Sequence, residues 1–166
     1  MKHIYFFIIL LFLSKDSFSQ VYLFYSENQG KVIHHRILLD NNYLIETQYM
    51  EDPNTFILTR GGFYTSNDNS TFNVSFEFNS NFEKDKLKSN VLVKKKSWKN
   101  ISKLKKELDG KWLMGGRVTE DGERRRDLNK PRKTMKFLLD GYFQWTAFNT
   151  ETFKFSGSGG GSYETE

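Results

Sequence analysis

The sequence predicts an all-β protein made of two antiparallel barrel-like units in tandem, with a short helix between them and the second unit ending early. Three observations lead there. Apolar residues alternate with polar ones: Phe72, Val74, Phe76 and Phe78 are interleaved with Asn73, Ser75, Glu77 and Asn79, and the pattern returns at Met135, Phe137, Leu139 and at Phe143, Trp145, Ala147. Period two is the signature of a half-buried strand. Turn-forming clusters punctuate these runs at Asn28-Gln29-Gly30, Asp40-Asn41-Asn42, Asp52-Pro53-Asn54, Asn67-Asp68-Asn69, Asp121-Gly122 and Asp140-Gly141, as an antiparallel meander requires. The third observation is an internal echo. Leu38-Leu39-Asp40 matches Leu138-Leu139-Asp140, Tyr43 matches Tyr142, Thr55-Phe56 matches Thr152-Phe153, and Gly61-Gly62-Phe63-Tyr64 matches Gly160-Gly161-Ser162-Tyr163. The distance from the aspartate to the glycine pair is 21 residues in one copy and 20 in the other.

Composition agrees with this reading. Aromatic residues make up 16% of the 166-residue chain and there are only 2 prolines, a balance suited to a β-rich globule. The absence of cysteine excludes disulfides, thiolate metal sites, cysteine nucleophiles and an N-terminal lipidated cysteine.

In chain order, residues 1–19 read as a signal peptide. Lys2 and His3 precede the ten-residue apolar run Ile4–Leu13, and Ser17-Phe18-Ser19 forms a small-x-small cleavage site. A membrane span needs about 20 apolar residues, so the run predicts cleavage near Ser19. The remaining chain, with no second apolar stretch, is expected to be exported to the periplasm or secreted.

Residues 20–98 form the first unit. Over 99–109 the spacing of Ile101, Leu104 and Leu108, with Gly110 as a stop, predicts a short helical linker. Residues 110–166 form the N-terminal part of the second unit. Its Lys111-Trp112-Leu113 aligns with Val21-Tyr22-Leu23, and the surplus before its aspartate places a loop insertion at Glu123–Arg132. About thirty residues that follow the glycine pair in the first unit have no counterpart in the second, so the sequence is expected to be a fragment.

The stretch Gly157-Ser158-Gly159-Gly160-Gly161-Ser162 has three readings: flexible linker, phosphate-cradling loop or native strand entry. No Lys-Ser/Thr follows it, and the recurrence of Gly-Gly-x-Tyr favours the strand, with small residues at a bulge or corner.

Gly110-Lys111-Trp112 opening a strand resembles the Gly-x-Trp motif of lipocalins and related calycin barrels. Residues 108–165 resemble the second half of exported bacterial proteins that carry two lipocalin-like domains, described only as membrane or secreted proteins. Tyr22 stands where the first unit would carry the motif tryptophan. The resemblance implies a fold and a compartment but no reaction. By analogy of fold alone it implies a small apolar or amphipathic ligand, with Trp112 at the barrel floor and Tyr142, Trp145 and Phe153 as lining residues.

No catalytic constellation stands out. His34 and His35 are adjacent on a strand and point to opposite faces, so they do not converge on one metal, and both are expected on the surface. No Gly-x-Ser-x-Gly turn occurs, and Asp40 and Asp140 sit in turns where aspartate accepts backbone hydrogen bonds. The sequence therefore predicts no catalytic residue, no metal and no cofactor. The second candidate is electrostatic. Between Lys94 and Lys136 there are 16 Lys/Arg against 6 Asp/Glu, while the whole chain carries +5. Arg124, Arg125, Arg126 and Arg132 on the inserted loop are candidate ligands for an anionic envelope component such as a polysaccharide, lipid headgroup or protein. The expected compartment disfavours nucleic acid.

Overall fold

The structure, a computed structural model, describes residues 19–68, 70–102 and 106–164. The leader expected over 1–19 lies outside these residues apart from Ser19. The elements in order are β1 (Gln20–Asn28), β2 (Lys31–Leu39), β3 (Tyr43–Glu51), β4 (Asn54–Thr65), β5 (Thr71–Asn79), the one-turn helix α1 (Phe82–Asp85), β6 (Ser89–Val93), β7 (Lys99–Asn100), β8 (Gly110–Leu113), β9 (Gly116–Thr119), β10 (Gly122–Arg125), β11 (Arg132–Leu139), β12 (Tyr142–Asn149) and β13 (Phe155–Ser162). Every strand pairing is antiparallel. The all-β class expected from the alternation is what these residues form.

Strands β6-β5-β4-β3-β2-β1-β7 make one seven-stranded meander, β13-β12-β11-β8 make a four-stranded sheet, and β9-β10 is a separate hairpin. The larger sheet curls into a half-barrel. Its concave face gathers Tyr22 and Ile37 from one side with Phe72, Val74 and Phe76 from the other, closed by Trp98. Trp98 stacks on Phe24 at 4.8 Å. Its convex face packs on the smaller sheet: Val21, Leu38, Tyr43, Ile45 and Phe78 meet Met135, Phe137, Leu139 and Phe148 in one apolar cluster. The two sheets therefore share a core. Fully burying each such side chain contributes on the order of 1.5–3 kcal/mol.

Double coverage explains why the middle of the larger sheet does not alternate. Arg36–Leu39 and Tyr43–Thr47 are buried at every residue, because both faces are covered. In β5, Phe72, Val74, Phe76 and Phe78 are all buried, but the alternation holds on one face only as far as Phe76: a bulge opposite Gly61 and Gly62 carries Phe78 over to the convex cluster. In β11 it holds for Met135, Phe137 and Leu139. On β12 the period holds but the face is reversed. Gln144, Thr146 and Phe148 are buried, and Phe143, Trp145 and Ala147 lie on the other side. The facing sheet presents polar Arg36 and Thr47 there, so the polar residues of β12 turn inward.

The hairpins β3–β4 and β12–β13 are laid out alike. Leu44 and Ile45 pair with Gly62 and Gly61, as Phe143 and Gln144 pair with Gly161 and Gly160. Both ladders slip at the same place, after Gln48 in one and after Ala147 in the other. The Tyr64 N–H donates to Asn42 O at 3.0 Å, and Tyr163 N–H to Gly141 O at 2.7 Å. Tyr22 pairs with Ile37 and Trp112 with Lys136. The aspartates, however, are not equivalent. Asp40 flanks its turn and accepts from Asn41 N–H at 2.8 Å. Asp140 lies inside its turn with φ 50° and Gly141 at φ 80°, the two left-handed residues of a tight hairpin.

Two local expectations are corrected. Of the described residues in 99–109, Lys99–Asn100 is a strand pairing with Tyr22 and Leu23, and Lys106–Asp109 is a turn closed by Asp109 N–H on Lys106 O; Leu104 lies outside the described residues. Backbone pairing with the edge of β1 takes the place of a helix at Lys99–Asn100. The loop insertion expected over 123–132 is a strand at its start, where Glu123–Arg125 belong to β10 and pair with β9, and a connection without strand over 126–131 that leads to β11.

Candidate functional site

Beyond the shared apolar core, the seam between the sheets opens into a cleft of about 420 Å³. Its floor is Arg36 on β2, Thr47 on β3 and Gln144 on β12. One wall carries Tyr49, Asn54 and Phe56, the other Tyr142 and the glycine-rich strand β13. Strand alternation puts Arg36 and Leu38 on one face, and Ile45, Thr47 and Tyr49 beside them. The apolar core therefore grades into a polar patch along the same two strands.

Arg36 is only 8% exposed. Its Nη2 donates to Gln144 Oε1 at 2.9 Å, and Thr47 Oγ1 donates to the same oxygen at 3.1 Å. The Gln144 amide nitrogen donates to Ser158 Oγ, which turns the glutamine oxygen toward the arginine. No described carboxylate forms an ion pair with Arg36, and its Nε is buried without a hydrogen-bond partner. Burial pulls the guanidinium pKa down, opposed by the tyrosines Tyr49 and Tyr142. An orphaned buried donor on a charged group costs about 1–3 kcal/mol or more.

The glycine-rich strand is thinned on both faces. A Cβ at Gly159 would stand 2.5 Å from Trp145 Nε1 and one at Gly157 3.3 Å from the same ring, so the outward face seats the indole. A Cβ at Gly160 would stand 2.6 Å from Arg36 Nη2 and 2.7 Å from Gln144 Oε1, so the inward face leaves room for the guanidinium. Gly160 also approaches Phe143 O, as Gly61 approaches Leu44 O. The residues are small because indole, guanidinium and neighbouring backbone occupy the space a side chain would need.

A second concavity of about 400 Å³ lies at the mouth of the half-barrel, lined by Phe24, His35, Glu46, Leu92 and Trp98 among others. Behind it the curl is filled with side chains. Glu46 is neutralised there: Arg60 Nε lies 2.7 Å from Oε2, Gln48 Nε2 donates to Oε1 at 2.8 Å, and His35 Nδ1 lies 3.4 Å from Oε1. Burial pushes the Glu46 carboxyl up, but the His35 hydrogen bond, the Arg60 charge and the Gln48 bond outweigh it and hold it at about 2.

Of the residues named from sequence, Tyr142 lines the seam cleft. Trp145 lies on the outer face of β12, 39% exposed, and Trp112 is 53% exposed on β8 with its Nε1 donating to Leu108 O. Trp112 is therefore not at a barrel floor. Phe153 adopts φ 58° and stacks on Phe82 at 4.6 Å, away from the cleft. Arg124 and Arg125 lie on the exposed hairpin and are each paired, with Asp121 at 3.2 Å and Glu123 at 2.9 Å. Arg126 reaches Thr134 Oγ1 at 3.3 Å, and Arg132 begins β11 exposed.

His35 is buried, not on the surface. It and His34 do point apart: His34 stacks on Tyr49 and His35 on Phe24. Among the described residues no group of three or more His, Asp or Glu is placed to hold a metal, and no helix is long and apolar enough to cross a membrane. Sequence reasoning missed Arg36, Thr47, Tyr49, Phe56 and Gln144. The available signal was a polar residue interrupting an apolar run, in Tyr142-Phe143-Gln144-Trp145, and an arginine directly abutting one, in Arg36-Ile37-Leu38-Leu39.

Compared with protein-family models, curated proteins and solved structures, the chain matches none.

Proposed function

We propose that this chain is a non-enzymatic binding protein that takes a small amphipathic ligand in the seam between its two sheets. The observation that carries this reading is the cleft of about 420 Å³ walled by Tyr49, Phe56 and Tyr142 and floored by polar groups. Small-ligand sites occupy roughly 300–1,000 Å³ and combine aromatic walls with a few placed polar groups. Phe56 is 52% exposed at the cleft, an apolar surface that a bound ligand would cover. The matched registers of β3–β4 and β12–β13 support a duplicated, lipocalin-like ancestry for the two sheets. On that reading, the ligand has moved from the filled interior of the curl to the junction between copies. Export after removal of the N-terminal leader belongs to the same proposal.

The basic hairpin is the weaker site, because Arg124 and Arg125 already have acidic partners beside them. The test is an amide chemical-shift map of the protein titrated with octanamide, a neutral amphipathic probe. Shifts should cluster at Tyr49, Phe56, Tyr142 and Gly160, and Phe56→Ala should weaken them several-fold. Shifts confined to other surfaces would refute the assignment.

A further inference from the structure

Resting on the seam reading above, we infer that the ligand carries a single carboxylate and that Arg36 is the residue that selects it. Glu46, the buried carboxylate in the curl, is ion-paired to Arg60. Arg36 faces only the neutral oxygen of Gln144, which positions the guanidinium without cancelling its charge. Its Nε has no partner among the described residues. Among the described residues lining the cleft, Arg36 is also the only one with a charged side chain, so the site balances one negative charge. A monocarboxylate fits that count, whereas a phosphate monoester brings surplus charge.

The geometry is permissive in two further ways. Gly160 holds no side chain over the guanidinium, and the aromatic walls stand where an acyl or aryl tail would extend. A carboxylate seated against Arg36 accepts from two of its planar N–H groups together, a pairing that a lysine ammonium does not reproduce.

The test compares octanoate with octanamide, and phenylacetate with phenylacetamide, by calorimetry and the same amide-shift map. The protein should bind each carboxylate at least tenfold more tightly than its amide. Arg36→Gln should bring the two to within twofold, with the carboxylate losing far more affinity than the amide. Should Arg36→Gln fold poorly, Gln144→Glu serves instead. It places a carboxylate beside the guanidinium, and the preference for octanoate should vanish. Equal affinities for acid and amide in the native protein, or a preference that survives Gln144→Glu, overturns the role of Arg36 while the cleft reading stands. No shift at the cleft with any of the four probes overturns both.

Discussion

Arg60 and Arg36 sit on opposite faces of the same curled sheet, one on β4 and one on β2 with β3 between them. Arg60 lies in the concave interior with its Nε 2.7 Å from Glu46 and its guanidinium 5.3 Å above the Phe76 ring. Arg36 lies on the convex face, similarly removed from water, with a glutamine carbonyl in place of a carboxylate and one nitrogen unpartnered. The first arrangement is that of a structural ion pair, whose charges and hydrogen bonds are satisfied within the fold. The second leaves a cation to be satisfied from outside. Buried charge without a partner is costly, and it persists beside an open cleft rather than inside a filled core.

The largest expected effect comes from breaking the satisfied pair. Glu46→Ala leaves Arg60 buried without its partner and should cost about 3–5 kcal/mol, read as a lowered midpoint in urea unfolding. A loss below about 1 kcal/mol would remove the contrast between the two arginines.

Acid titration probes the same carboxylate. Its folded pKa is depressed from 4.5 to about 2, so the stability it contributes is present above about pH 4.5 and is lost as pH falls toward 2. The amount is on the order of 3 kcal/mol by proton linkage. Stability measured across that window should flatten in Glu46→Gln.

The opposite sign is expected for Arg36. Replacing it with methionine removes an uncompensated charge while keeping bulk, so stability should stay unchanged or rise by about 1–2 kcal/mol. Arg60→Met, which orphans Glu46, should be destabilising. If both substitutions destabilise equally, Arg36 is held by the fold as firmly as Arg60. The smallest effect is expected on the outer hairpin: Arg124→Ala removes an exposed ion pair and should leave Tm unchanged.

The all-β class was legible in sequence because burial on one face imposes period two, and β11 shows it without distortion, β5 as far as the bulge after Phe76. The turns were legible for the same local reason: Asn, Asp and Gly are compatible with the backbone of tight hairpins. The glycine-rich stretch could be placed on a strand from its recurrence beside a tyrosine. Why it is glycine was not legible. Trp145 and Arg36, which require the space, come from different strands and in one case from a different sheet.

The cleft was similarly hidden. Phe143, Trp145 and Ala147 form a convincing apolar face by themselves, yet Gln144 and Thr146 are the residues turned inward. Alternation defines two faces of a strand but does not say which one meets the core. Sequence alone determined which residues alternate, where the chain turns and where its charge gathers, since each depends on near neighbours. Only the tertiary structure decided which face of β12 is buried and which arginine is left without a counter-charge. Those outcomes depend on what the opposing sheet presents about a hundred residues away in the sequence.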